Sequence, residues 1–244
     1  MAFGGGAGLP SPPPHRDQRM NKWEQFAREN AEFYILTNPH VDYSSTEGQG
    51  YFFRSGEEFT VRSLARADSY IRERNRGLEI GCGIGRLAFP HASRFHELYA
   101  VDISETMLNR LHEIAGQRGV YNIRPFLPEQ KWDEPESINY AYSFLVFQHI
   151  EDLGTIESYI RRIARALKPG AIAQLQFDTR PPIFLYRIRN IMPDVLLPRP
   201  YRKGIRRIRR DPVELGILFR ENGLFILEEY NRDTENHIFL LRRT

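Results

Sequence analysis

Glu79 stands two residues before the first of three glycines, Gly81, Gly83 and Gly85, in the run Leu78-Glu-Ile-Gly-Cys-Gly-Ile-Gly-Arg86. An apolar strand that ends in such a run makes a tight turn whose backbone approaches a nucleotide closely. A dinucleotide loop needs glycines at its first, third and sixth positions. Here Arg86 holds the sixth, and the third glycine comes one residue early. Glu79 places an anion where a pyrophosphate would lie, so the loop repels a diphosphate and attracts a sulfonium or an α-ammonium group. Asp102 follows the apolar run Glu97-Leu-Tyr-Ala-Val101, 21 residues after Gly81. A carboxylate at that place accepts hydrogen bonds from both hydroxyls of a ribose. Two further groups could move a proton: His149 after an apolar run from Ile138, and Asp178 after residues 171–177.

These residues need elements to hold them. Asn21 and Glu24 form a capping-box pattern ahead of Trp23, Phe26, Ala27, Ala31 and Tyr34, which predicts a helix over 21–36. Ser55 and Glu58 repeat the pattern ahead of Val61, Leu64, Ala65 and Ile71, leaving 37–54 as a loop with Tyr43, Tyr51, Phe52 and Phe53. Pro90 implies a kink or a late start for the helix after the glycine loop. A helix over 104–115 with Gly116 as its cap, a strand over 120–126, a buried strand over 138–147, a helix over 155–167 and a strand over 171–177 follow. Asp211-Pro-Val-Glu214 opens a last helix that Gly223 closes, and strands near 225–230 and 236–241 complete the chain. Strands alternating with helices predict an α/β fold with a doubly wound, mostly parallel sheet and an antiparallel hairpin at one edge.

The run 78–86, Asp102, Ser143-Phe-Leu-Val-Phe-Gln-His-Ile150 and Leu167-Lys-Pro-Gly170 together resemble the class I S-adenosylmethionine-dependent methyltransferases. The resemblance implies a seven-stranded Rossmann-like sheet with N-terminal helices. It also implies S-adenosylmethionine as cofactor, its methionine end on Glu79, Gly81, Cys82, Gly83 and Gly85, its ribose on Asp102 and its adenine beside Ile103. Met107, Leu127, Ser143 and Phe144 complete the implied cofactor set, with Leu127-Pro128 as a wall of the adenine pocket. The organisation expected is a disordered leader 1–19, a helical cap 20–76 and a methyltransferase domain 77–244 with an insertion at 181–210.

The acceptor is narrowed by what the chain lacks. No Asn or Asp followed by Pro-Pro and an aromatic follows the fourth strand, no Pro-Cys nucleophile occurs, and the histidines lack metal-ligand spacing. A metal-independent transfer to a small molecule or glycan remains, with a hydroxyl oxygen favoured and His149, or Asp178, as base. Two rivals stand beside it: a nicotinamide-dependent oxidoreductase, and a noncatalytic cofactor-binding subunit. The single cysteine, Cys82, rules out an intramolecular disulfide framework, and no run reaches the ~18 apolar residues of a membrane span. A cytoplasmic protein is expected. Residues 199–210 hold seven Arg or Lys and no acid, and removing those seven takes the net charge from +3 to −4. That run reads first as a solvated basic face, second as a site for an anionic acceptor, and last as a membrane or nucleic-acid contact, with DNA not expected.

Overall fold

The computed structural model of the chain describes residues 18–182, 186, 192–197 and 206–244. Strands β1 (Arg76–Ile80), β2 (Glu97–Val101), β3 (Ile123–Phe126), β4 (Ile138–Ser143) and β5 (Leu167–Phe177) run parallel, and β6 (Leu224–Tyr230) and β7 (His237–Arg243) close one edge. The order is β3-β2-β1-β4-β5-β7-β6, with β7 antiparallel to both of its neighbours. The chain crosses from β3 back to β4 beside β1, so β1 and β4 flank the switch point of the sheet, outside whose carboxyl ends ligands bind.

Side chains alternate across a strand. Leu78 and Ile80 therefore face one side, with Phe177 and with Ile156, Ile160 and Ile163 of α5 (Leu153–Ala166) and Phe219 of α6 (Pro212–Glu221). The other face packs Tyr140, Tyr142 and Ala100 against α2 (Thr46–Ala67), α3 (Ala88–Ala92) and α4 (Glu105–Arg118). Each fully buried Phe or Ile contributes about 1.5–3 kcal/mol. Glu79 is carried onto this second face because it alternates with Leu78 and Ile80. There the Tyr142 hydroxyl donates to its Oε2 at 2.9 Å.

The N-terminal elements differ from the sequence expectation. Helix α1 (Gln18–Leu36) is broken at Asn30, whose backbone leaves helical geometry and whose side chain accepts from the Phe33 N–H at 3.0 Å, capping the second half. Glu24 does not cap its own helix. Its carboxylate crosses to the start of α4, accepting from Ser104 Oγ at 2.7 Å and from the Thr106 N–H and hydroxyl. Burial raises the Glu24 pKa, but those hydrogen bonds outweigh it and hold the carboxyl at about 2. Helix α2 starts at Thr46 on an N-cap from Ser45, not near Ser55, so Tyr51, Phe52 and Phe53 are helical rather than in a loop. Glu47-Gly-Gln-Gly50 looks like a turn, yet Gly48 serves close packing. A Cβ there would stand 2.0 Å from the Asp42 carbonyl oxygen.

Elsewhere the elements differ from expectation by a few residues at their ends. Helix α3 starts late, which places Pro90 in its first turn, where no backbone N–H is required. Helix α4 runs through Gly116 and is capped by Gly119 at φ 66°. Strand β4 ends at Ser143 rather than 147, because Leu145 takes φ 62° and the chain turns into a 3-10 turn over Phe147–His149. Helix α5 starts at Leu153 with Asp152 accepting from the Thr155 N–H at 2.7 Å, and β5 begins at Leu167. Of the expected leader, residues 1–17 lie outside the described residues, and Gln18 and Arg19 are already in α1. No helix among the described residues is long and apolar enough to cross a membrane.

Candidate functional site

A cavity of about 1000 Å³ opens at the carboxyl ends of β1, β2 and β4. Its floor is the glycine loop. Gly81 and Cys82 donate their N–H groups to the Val101 carbonyl at 2.7 and 3.1 Å, so the loop is tied to the end of β2. Gly83 holds φ 53°, and a Cβ there would meet Ile35 Cδ1 of α1 at 2.6 Å. Helix α1 therefore lies directly over the loop as a cover, and only glycine fits beneath it. Gly85, at φ 95°, does not line the cavity; a Cβ there would strike the Phe89 ring at 2.6 Å.

Two carboxylates face this space with different environments. Glu79 is 3 % exposed, and burial pushes its carboxyl up to about 8; the Tyr142 hydrogen bond and the positive charge of Arg86 oppose that shift, and Asp102 adds to it. Glu79 is therefore largely protonated at neutral pH, and a cation brought beside it would draw the proton off. Asp102 is half-buried. Burial raises its pKa, and N–H donors from Ser104 at 2.9 Å and Gly83 at 2.8 Å pull it back. These donors fix the orientation of the carboxylate at the rim of β2, where its remaining lone pairs can accept from hydroxyl groups. Ile103 and Met107 line the cavity beside it, an apolar slot of the kind that holds a flat base.

Of the residues expected from sequence, Glu79, Gly81, Cys82, Gly83, Asp102, Ile103, Met107, Phe144 and His149 meet in this one cavity. Four do not. Besides Gly85, Ser143 is buried with its hydroxyl donating to the Ile80 carbonyl at 3.0 Å, joining β4 to β1. Leu127 packs on the core and leaves the wall to Pro128 and Glu129. Asp178 is fully enclosed and clamps Arg180 through both oxygens, at 3.0 and 2.5 Å, so a proton-transfer role would require that ion pair to break.

His149 closes the Phe147–His149 turn on the opposite wall, its ring 5.7 Å from that of Trp23 in an edge contact. Leu145, also lining the cavity, holds a left-handed backbone that is costly for a branched residue. That turn aims Phe144 and His149 into the same space. Trp23, Phe26 and Tyr34 of α1 and the guanidinium groups of Arg206, Arg207 and Arg209 also line the cavity, none of them among the individual site residues expected from sequence. Helical spacing had marked the α1 aromatics as one apolar face. No local signal tells whether such a face meets a sheet or a ligand.

A family profile described as a methyltransferase domain matches residues 52–229. No curated protein matches the chain. Among solved structures, the chain is similar to magnesium protoporphyrin IX methyltransferase from Synechocystis PCC 6803 with bound S-adenosylhomocysteine: 17% identity, TM-score 0.60, 92% of this chain and 99% of that one covered. A SAM-dependent methyltransferase from Methanosarcina mazei matches at 18% identity and TM-score 0.59, covering 72% of this chain and 95% of that one. The CcbJ methyltransferase from Streptomyces caelestis matches at 18% identity and TM-score 0.57, covering 78% and 89%.

Proposed function

The chain belongs to the methyltransferase-domain family, and from that premise we propose that it moves a methyl group from S-adenosylmethionine to a hydroxyl oxygen of a small-molecule or glycan acceptor, without a metal ion. The observation that carries this reading is the convergence of Glu79, Asp102 and His149 on one cavity from the ends of three adjacent strands. The donor fits the residues present. Glu79 suits the α-ammonium of an amino acid, Asp102 suits a ribose diol, and Ile103 with Met107 suits adenine. When bound, the donor supplies an activated methyl on a sulfonium, so the protein's part is alignment and proton removal.

Alignment falls to the floor and the cover. The Gly81–Gly83 backbone and Asp102 fix one end of the cavity, while α1 excludes water from above through Trp23, Phe26 and Ile35. Holding the two reactants in line is worth an effective molarity of ~10⁵–10⁸ M. His149 takes the proton of the acceptor hydroxyl as it attacks, a step worth ~10²–10⁴ in rate. Asp178 positions Arg180 instead of acting as a second base. Residues 20–76 form the covering cap and 77–244 the catalytic domain, in a cytoplasmic setting.

A screen of hydroxyl-bearing acceptors, sugars included, monitored by release of S-adenosylhomocysteine tests this reading. One class of hydroxyl compound should turn over with wild type and lose turnover with His149→Ala. Turnover only with amines or thiols, or turnover that needs an added divalent ion, contradicts it.

A further inference from the structure

The end of the cavity away from Asp102 is basic and built. Arg206, Arg207 and Arg209 line it together with Arg180. This segment is no solvated face. The Ile208 N–H donates to the Gln148 carbonyl at 2.7 Å, the Arg210 N–H to the Asp178 carbonyl at 2.8 Å, and the Arg209 N–H to the Tyr186 hydroxyl at 2.9 Å. Residues 206–210 are thus strapped between the end of β5 and the turn that carries His149. The rest of the basic run, 199–205, lies outside the described residues.

The charges do not balance. Arg180 is paired with Asp178 and Glu235, Arg207 shares Glu235 at 3.2 Å, and Arg206 reaches Glu151 at 3.0 Å. Arg209 donates to the Pro181 carbonyl at 2.5 Å and lies over the Tyr186 ring at 4.4 Å, meeting no carboxylate among the described residues. Four guanidinium groups therefore face three carboxylates. Arg206 is more enclosed than Arg180 or Arg207, with a side chain 12% exposed, and its Nε and Nη1 are buried with no partner among the described residues. Enclosed donors on a charged group are expensive to leave unpaired, and an oxyanion is the group that satisfies them best.

We infer that the acceptor carries a carboxylate or phosphate group, bound by Arg206 with Arg207 and Arg209, beside an apolar or aromatic body packed on Trp23, Phe26 and Tyr34. This inference rests on the methyl-transfer reading for the word acceptor, but the anion subsite stands on its own geometry. Glu235 narrows it further. That carboxylate already neutralises Arg180 and part of Arg207, so the charge left without a carboxylate is that of Arg209 and the donors left without a partner are Nε and Nη1 of Arg206, next to the His149 turn. The anchored end of the acceptor thereby places its hydroxyl toward His149.

Calorimetry with three small probes tests the subsite: phenylacetate, phenyl phosphate and neutral phenylacetamide, each titrated with and without saturating S-adenosylhomocysteine, at low and high salt. At least one of the two acids should bind about tenfold or more tighter than the amide, with an advantage that shrinks as salt rises. The stronger of the two identifies the oxyanion as carboxylate or phosphate. In Arg206→Gln the acids should fall to the level of the amide while S-adenosylhomocysteine binds as in wild type, and Arg206→Lys should recover part of the difference. Equal binding of acids and amide by wild type overturns the subsite whatever the variants do. So does an acid preference that survives in a folded Arg206→Gln. Failure of S-adenosylhomocysteine to bind overturns the methyl-transfer reading alone.

Discussion

The two halves of the cavity are built by opposite means. The floor comes from two short contiguous runs, 79–83 and 102–107, each at the end of a strand, and its hydrogen bonds are made within or between neighbouring strands. The opposite half draws Trp23 from α1, His149 from the turn after β4, Arg180 from the end of β5 and Arg206 from beyond it. A site written in consecutive residues is set by local backbone geometry, whereas a site gathered from distant segments depends on how those segments pack. Methyl transfer needs both. The same donor can serve one kind of floor while acceptors differ with the wall opposite.

Substitutions should separate the halves. His149→Ala touches only the acceptor wall, so kcat should fall by ~10²–10⁴ with cofactor affinity held within about twofold. Single-turnover kinetics beside a binding titration distinguishes the two. Asp102→Ala acts on the floor, removing an acceptor for ribose and the oxygen atoms that hold the Gly83 and Ser104 N–H groups. Calorimetry should show cofactor affinity lower by about 100-fold or more, which is ~2.7 kcal/mol.

Glu79 offers a subtler test through pH. Its folded pKa of about 8 stands above the ordinary 4.5, so between those values the folded state keeps a proton that the unfolded chain has lost. Stability of the cofactor-free protein should therefore fall as pH rises from about 5 to about 8 and level off above. Glu79→Gln should flatten that part of the Tm profile. With the donor's ammonium bound beside it, Glu79 ionises, so cofactor binding by wild type at pH 7 should release up to about one proton and by Glu79→Gln should release fewer. Titrations in buffers of different ionisation enthalpy read this number. The Gln variant should also bind the donor roughly tenfold more weakly. The smallest effect belongs to the cover. Asn30→Ala removes the cap of the second half of α1 and should cost about 1 kcal/mol, lowering Tm by about 2–4 °C with the floor's chemistry unchanged.

The contrast between the halves also explains what could be read in advance. The sheet, its antiparallel edge and the floor residues Glu79, Gly81, Gly83 and Asp102 were legible because strand alternation and turn chemistry act over a few residues. Gly85 and Ser143 were expected at the cofactor by position in a motif, yet neither lines the cavity: a Cβ on Gly85 would meet the Phe89 ring, and the Ser143 hydroxyl is spent on the Ile80 carbonyl. Glu24 matched a local cap and instead capped a helix 80 residues away at Ser104. The order of the readings for the basic run changes for the same reason. Arginine spacing in 206–210 gives no sign that the segment is strapped under Asp178 and Gln148, and that tertiary pairing turns a surface charge into a lining one.

The carboxylate-lined floor should select a cationic adenosyl donor over a dinucleotide. A parallel calorimetric titration of wild type and Asp102→Ala with S-adenosylmethionine and with NADH tests it most directly. The account predicts saturable binding of S-adenosylmethionine by wild type, its loss in Asp102→Ala, and no measurable binding of NADH. Tight NADH binding, or S-adenosylmethionine affinity unchanged in the Asp102 variant, contradicts it.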